Sequence, residues 1–206
     1  MWWTIVTGVL WLGWIVTYIF AGGYCDRPDL VENFSSEKYL GTWYEIYRAK
    51  NVPFEEDDCA TATYIELSGN YIEVNNLEWS IEKQINVDGI PDPGKAQYSS
   101  FRSGLVQVKF FELSPWSDYS VLYTDYTTHT VVYGCDTFLA NAIKLEWLWS
   151  LTRVPLAIGS AAHTTMTDTI FKVIADKLPN YDYKNDLRPT QQTEAEGCKY
   201  NGKEAP

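Results

Sequence analysis

Two histidines, four cysteines, a run of four acids and a late arginine are the groups in this 206-residue chain whose types suggest chemistry. His129 and His163 could act as general bases, but neither has a nucleophile or carboxylate at a recognisable spacing. Both are expected at exposed surface positions. A cysteine nucleophile needs a low-pKa thiolate. Cys25, Cys59, Cys135 and Cys198 are instead even in number and far apart, unlike the close ligand pairs of a zinc site. They read as two disulfides in an oxidising compartment, with three connectivities open. Glu55-Glu56-Asp57-Asp58 reads as a solvated loop tip, since neighbouring acids alone do not make a coordination shell. The chain has no G-x-S-x-G, Walker loop or nucleotide fingerprint. No catalytic residue, metal or cofactor is therefore expected. Asn33-Phe34-Ser35 is a glycosylation acceptor for a chain on the secretory route.

The remaining chemistry is noncovalent. Gly41-Thr42-Trp43 opens a strand-like run, Thr124-Asp125-Tyr126 closes another, and Arg153 follows a last apolar run. A guanidinium brought onto the face of Trp43 would plug one end of a closed barrel by a cation–π contact. The other end would stay free to admit a ligand.

The elements that must position these groups are mostly strands. Runs over 40–48, 59–67, 71–79, 80–87, 104–113, 119–125, 129–135 and 143–152 follow one another with short turns. Eight runs at this spacing predict an all-β, eight-stranded antiparallel sandwich or barrel. Alternation sets Val106, Val108 and Phe110 on one face of the fifth run. Tyr119, Val121 and Tyr123 share a face of the sixth, and Leu145, Trp147 and Trp149 a face of the eighth. Beyond Pro155, Met166, Ile170, Ile174 and Leu178 recur every four residues. That predicts an amphipathic helix on the barrel's outside, with Thr164 and Thr165 as candidate caps and Pro179 as its stop.

On these motifs the chain resembles the lipocalin family. G-x-W, T-D-Y and the late Arg occur in the family's order, supported by 38–46, Val132-Tyr133-Gly134-Cys135 and 151–155. The resemblance covers about Cys25 to Cys198. It implies an up-and-down barrel with a C-terminal helix, closed by Gly41, Trp43 and Arg153. It also implies the pairings Cys25–Cys135 and Cys59–Cys198, and ligand contacts at Tyr64, Asn76, Glu78, Phe110, Tyr119 and Trp149. Alternation adds Val108, Tyr123 and Trp147 to that ligand-facing set. The stretch Pro91 to Ser103 departs from the family pattern and blurs the fourth strand.

Trp2 to Phe20 carries no charge. As a helix it would span about 28 Å, close to a hydrocarbon core. Residues 1–23 are therefore a hydrophobic helix, read either as a signal peptide cut near Ala21-Gly22-Gly23 or as a retained transmembrane anchor. Residues 24–206 form the barrel domain. The net charge of −11 falls wholly on that domain, which argues against a nucleic-acid partner. The expected function is binding and transport of a small hydrophobic molecule or lipid (a fatty acid, sterol, retinoid or pigment) outside the cytosol. The alternative is a membrane-anchored accessory subunit of a larger membrane complex.

Overall fold

In the computed structural model, the described residues are 23–87, 94–98, 101–110, 115–139, 143–200 and 203–204. The apolar run Trp2–Phe20 lies outside them, and with it the choice between signal and anchor. Among the described residues no helix is long and apolar enough to cross a membrane.

A short helix, α1 (Ser36–Tyr39), capped by the Ser35 hydroxyl, leads into β1 (Gly41–Ala49). β2 (Asp58–Glu66), β3 (Tyr71–Ser80), β4 (Ile85–Val87), β5 (Gly94–Tyr98) and β6 (Leu105–Lys109) follow. β7 (Ser117–Thr124), β8 (His129–Phe138) and β9 (Ile143–Thr152) complete the barrel. The sheet runs β1-β2-β3-β5-β6-β7-β8-β9, and antiparallel pairing of β9 with β1 closes it into eight staves. Closure removes the exposed strand edges that an open sheet would present.

The fourth stave departs from the expected continuous run over 80–87. Ile81–Gln84 form a turn, in which the Gln84 amide donates to the Ser80 carbonyl at 2.8 Å. β4 then folds back on the end of β3, at Glu78–Ser80, while β5 pairs with its beginning, at Tyr71–Val74. β5 lies inside the stretch that broke the family pattern. Its alternation is short and its composition polar, which hid it.

The helix α2 (Ala161–Lys177) buries His163, Ile170 and Ile174. Ser160 caps it by accepting the His163 amide at 3.1 Å. Thr164 and Thr165 lie inside the helix instead of capping it; the Thr164 hydroxyl bonds back to the Ser160 carbonyl. α2 lies against the outer side of β1, where Tyr47 meets Phe171 at 5.2 Å between ring centroids and its hydroxyl reaches Thr167 at 3.2 Å. The tail adds the short helix α3 (Tyr183–Asp186), then β10 (Leu187–Pro189), which pairs with the end of β1. The pair β11 (Lys199–Tyr200) and β12 (Lys203–Glu204) follows.

The chain divides into two compact units. Among the described residues the smaller comprises 23–27, 135–139 and 143–146, and holds the Cys25–Cys135 disulfide and a 3.0 Å Lys144–Glu146 ion pair. The larger holds the Cys59–Cys198 disulfide, against Trp79, Ile81 and Tyr200.

Both histidines are buried, contrary to the expected surface positions. His129 stacks on Tyr123 at 4.8 Å and its Nδ1 meets the Thr128 hydroxyl. His163 packs on Tyr47. Burial lowers the pKa of each, so both favour the neutral ring.

Candidate functional site

The closed end of the barrel is built first, because β1 begins there and β9 ends there. Trp43 is wholly buried, and its indole N–H donates to the Tyr39 carbonyl at 2.9 Å. The Arg153 guanidinium carbon lies 3.7 Å from the centroid of the Trp43 ring. Its Nε donates to the Tyr126 carbonyl, Nη1 to Thr42, and Nη2 to Lys38 and Tyr39. One side chain thus ties α1, β1 and the β7–β8 turn with donors fixed in a planar fork. Gly41 has φ of +92°, and a β-carbon there would sit 3.4 Å from Arg153 Nη1. Asp125 fastens the same turn by accepting the amides of Thr127, Thr128 and His129. Burial opposes its charge, but these bonds prevail and hold its carboxyl below the usual range.

Tyr39 covers this plug on the inside. Its hydroxyl contacts those of Thr130 and Tyr119, and Tyr119 in turn meets Tyr64 at 2.7 Å. Burial pushes Tyr39 up to about 12, so the cluster stays protonated. Above this floor the barrel is hollow. A cavity of about 220 Å³ is lined by Tyr64, Val74, Asn76 and Glu78, by Val108, Phe110 and Tyr119, and by Trp147, Trp149 and Leu151. Phe110 has room because of Gly94, where a β-carbon would lie 2.5 Å from its ring.

Of the ligand-facing residues expected from the sequence, all but Tyr123 reach this cavity. The β7–β8 register shifts between Val121 and Tyr123, so alternation fails there. Val121 and Leu122 are both buried, and Tyr123 turns to His129. Leu145 is likewise off the cavity and 37% exposed.

The polar wall was foreseen only at Asn76 and Glu78. Glu45 and Glu55 also line the cavity. Arg48 Nη1 bridges Glu45 Oε1 at 3.0 Å and Glu78 Oε1 at 2.9 Å, and Nη2 donates to the Asp57 carbonyl. Thr190 donates its hydroxyl to Glu45, and the Asp57 amide bonds Glu78. Strict alternation would put residues 45 and 48 on opposite faces. A register shift between Glu45 and Tyr47 in the β1–β9 pairing brings them together. Glu45 was readable, standing two residues after inward Trp43; Arg48 needed the bulge.

Glu55 overturns the reading of its acid run as a solvated tip. The segment 50–57 lies at the end of β1 opposite the plug. It turns inward there, so that Phe54 packs edge-on to Trp147 at 6.1 Å and Glu55 accepts the Trp149 indole N–H at 2.7 Å. Burial, reinforced by Glu45, pushes Glu55 up to about 8. Burial also raises Glu78 to about 7 against the pull of Arg48, and raises Glu45 despite the same guanidinium. Among the described residues, no group of three or more His, Cys, Asp or Glu is placed to hold a metal ion.

The barrel fold is shared with known proteins. The family model described as a lipocalin-like domain matches residues 34–172. Apolipoprotein D of Mus musculus is 36% identical over 134 residues, 65% of this chain and 68% of that protein. The Lazarillo protein of Schistocerca americana is 29% identical, over 63% of this chain and 60% of its own. Among solved structures, insecticyanin from the tobacco hornworm Manduca sexta superposes with a TM-score of 0.68 at 20% identity, covering 87% of this chain and 91% of that one. Lobster apocrustacyanin A1 gives 0.61 at 18% identity, over 84% and 91%.

Proposed function

Because the chain belongs to the lipocalin-like domain family, we propose that it binds and carries a small hydrophobic molecule in the barrel, passively and without a cofactor. The carrying observation is the hollow itself, walled by Trp147, Trp149, Phe110, Tyr64 and Tyr119. Aromatic walls offer large contact area with few torsions to freeze, and the few polar groups orient a head. An engineered cavity of about 150 Å³ takes up benzene. A hollow of about 220 Å³ suits one slim chain or small ring system better than a four-ring sterol. Each methylene buried is worth about 0.8 kcal/mol before association costs. Two disulfides suit an extracytosolic place of work.

The test is titration of the purified protein with a fatty acid, a retinoid, a sterol and a medium-chain alcohol, following tryptophan emission. Saturable quenching at micromolar levels with one-to-one stoichiometry is expected for at least one. Gly134→Trp, which fills the space beside Trp147 and Trp149, should abolish it. Silence from every class, or quenching that survives the filled cavity, sinks the carrier. A second reading, the membrane-tethered accessory subunit, rests on the uncharged run Trp2–Phe20. A native mass that places the mature N-terminus near Tyr24 ends it.

A further inference from the structure

We propose that the polar wall of this cavity selects an organic ammonium. The ligand class is a primary or secondary amine on a slim hydrophobic body, and the corresponding carboxylate is excluded. The inference deepens the carrier reading and rests on it.

Charge count comes first. Glu45, Glu55 and Glu78 all face the hollow, and Arg48 is the guanidinium among them. Its single charge is shared by two of the three carboxylates. Arg188, the next guanidinium along the wall, is held by Asp58 at 2.9 Å and by the Glu56 and Asp57 carbonyls. Lys109 also lines the cavity, with its ammonium over the Trp116 ring, and Asp118 lines it as a fourth acid, so four carboxylates face two cations. The wall is therefore short of positive charge. Burial first, and repulsion from Glu45 after it, raises Glu55 and Glu78, so that without a cation protons meet part of the surplus.

The hydrogen-bonding inventory points the same way. Asn76 lines the cavity two residues from Glu78 on β3, and its Oδ1 is buried with no donor. An ammonium has donors and no acceptor, so it fits a wall that offers acceptors. A carboxylate needs donors, and the strong ones here are engaged. Arg48 serves Glu45, Glu78 and the Asp57 carbonyl, while the Trp149 N–H serves Glu55. The indoles of Trp147 and Trp149 add faces that attract cations and not anions. A divalent metal is not the missing charge, since these acids do not converge as ligands.

The binding step balances as a proton exchange. The ammonium pairs with the Glu55 carboxylate, and the proton that Glu55 held leaves to the buffer. Calorimetry on the full chain at pH 7.4, with decylamine, 1-decanol and decanoate, tests this. Decylamine should bind at least tenfold tighter than decanol, with decanoate weakest. The decylamine heat should differ between phosphate and Tris, reporting proton release. Glu55→Gln should cut the amine-over-alcohol preference at least tenfold, the preference being read as the ratio of the two affinities within the same variant. Decanol binding with no preference for the amine, or decanoate matching decylamine, overturns the inference while the carrier stands. Failure of all three ligands overturns the ammonium inference, while the carrier is decided separately by the retinoid and sterol titrations. The wild-type comparison decides even where the variant does not fold.

Discussion

Arg153 shows how much one side chain settles at the closed end. It makes four hydrogen bonds to backbone carbonyls and lies on a buried indole. Hydrogen bonds from a charged group contribute about 1.5–3 kcal/mol when broken singly, though water recovers part of each on this half-buried side chain. Arg153→Ala should therefore lower unfolding stability by about 3 kcal/mol, read as a shift in the urea midpoint. Arg153→Lys should recover less than half, because an ammonium cannot span the Tyr126, Thr42 and Lys38 carbonyls at once. A lysine variant as stable as the parent would reduce the contact to simple charge. Gly41→Ala should cost about 1 kcal/mol, from its positive φ and not from lost contacts.

On the carrier reading proposed above, the segment 50–57 is the element that gates the hollow. It connects β1 to β2 and lays Phe54 on Trp147 and Glu55 on Trp149. Entry along this side requires both contacts to part. Phe54→Ala should raise the rates of ligand association and release together, by about tenfold, with little change in affinity. That pattern is expected when a mutation lowers a gate and not a binding contact. Stopped-flow tryptophan emission checks it, and a slower release in the variant would show Phe54 to be an obstacle inside the site. All the staves but β5, which its short alternation and polar composition hid, the helix α2 and the plug could be read from periodicity and from three short motifs. Two kinds of feature could not. Bulges at Glu45/Tyr47 and Val121/Tyr123 break the period of two, so Arg48 turned in and Tyr123 turned away unannounced. The inward turn of Glu55 depends on Trp149, 94 residues distant, and composition called it solvated. The burial of His129 and His163 is also tertiary, set by the Tyr123 and Tyr47 rings.

For the molecule as a whole, the acid-rich cavity couples folding to pH. The folded values of about 8 for Glu55 and about 7 for Glu78 stand above their ordinary 4.5. Over that interval the native state holds more protons than the unfolded chain, so stability falls as pH rises. The stabilisation is full below pH 4.5 and is lost as pH climbs through the folded values. His129 and His163 act in the opposite sense. Their folded values lie below the ordinary 6.5, so their contribution is present above 6.5 and lost as pH falls. The two effects compete in weakly acidic solution, and above pH 6.5 the carboxyls act alone. One proton is worth 1.36 kcal/mol per pH unit. Unfolding free energy should therefore drop by about 2 kcal/mol between pH 6.5 and pH 9, measured by urea denaturation with the disulfides intact. Glu55→Gln should remove at least half of that drop while leaving the loss on acidification in place. A slope unchanged in Glu55→Gln would mean that the Glu55 carboxyl is already ionised at neutral pH, paired with Arg48 more closely than the Glu45 and Glu78 contacts allow.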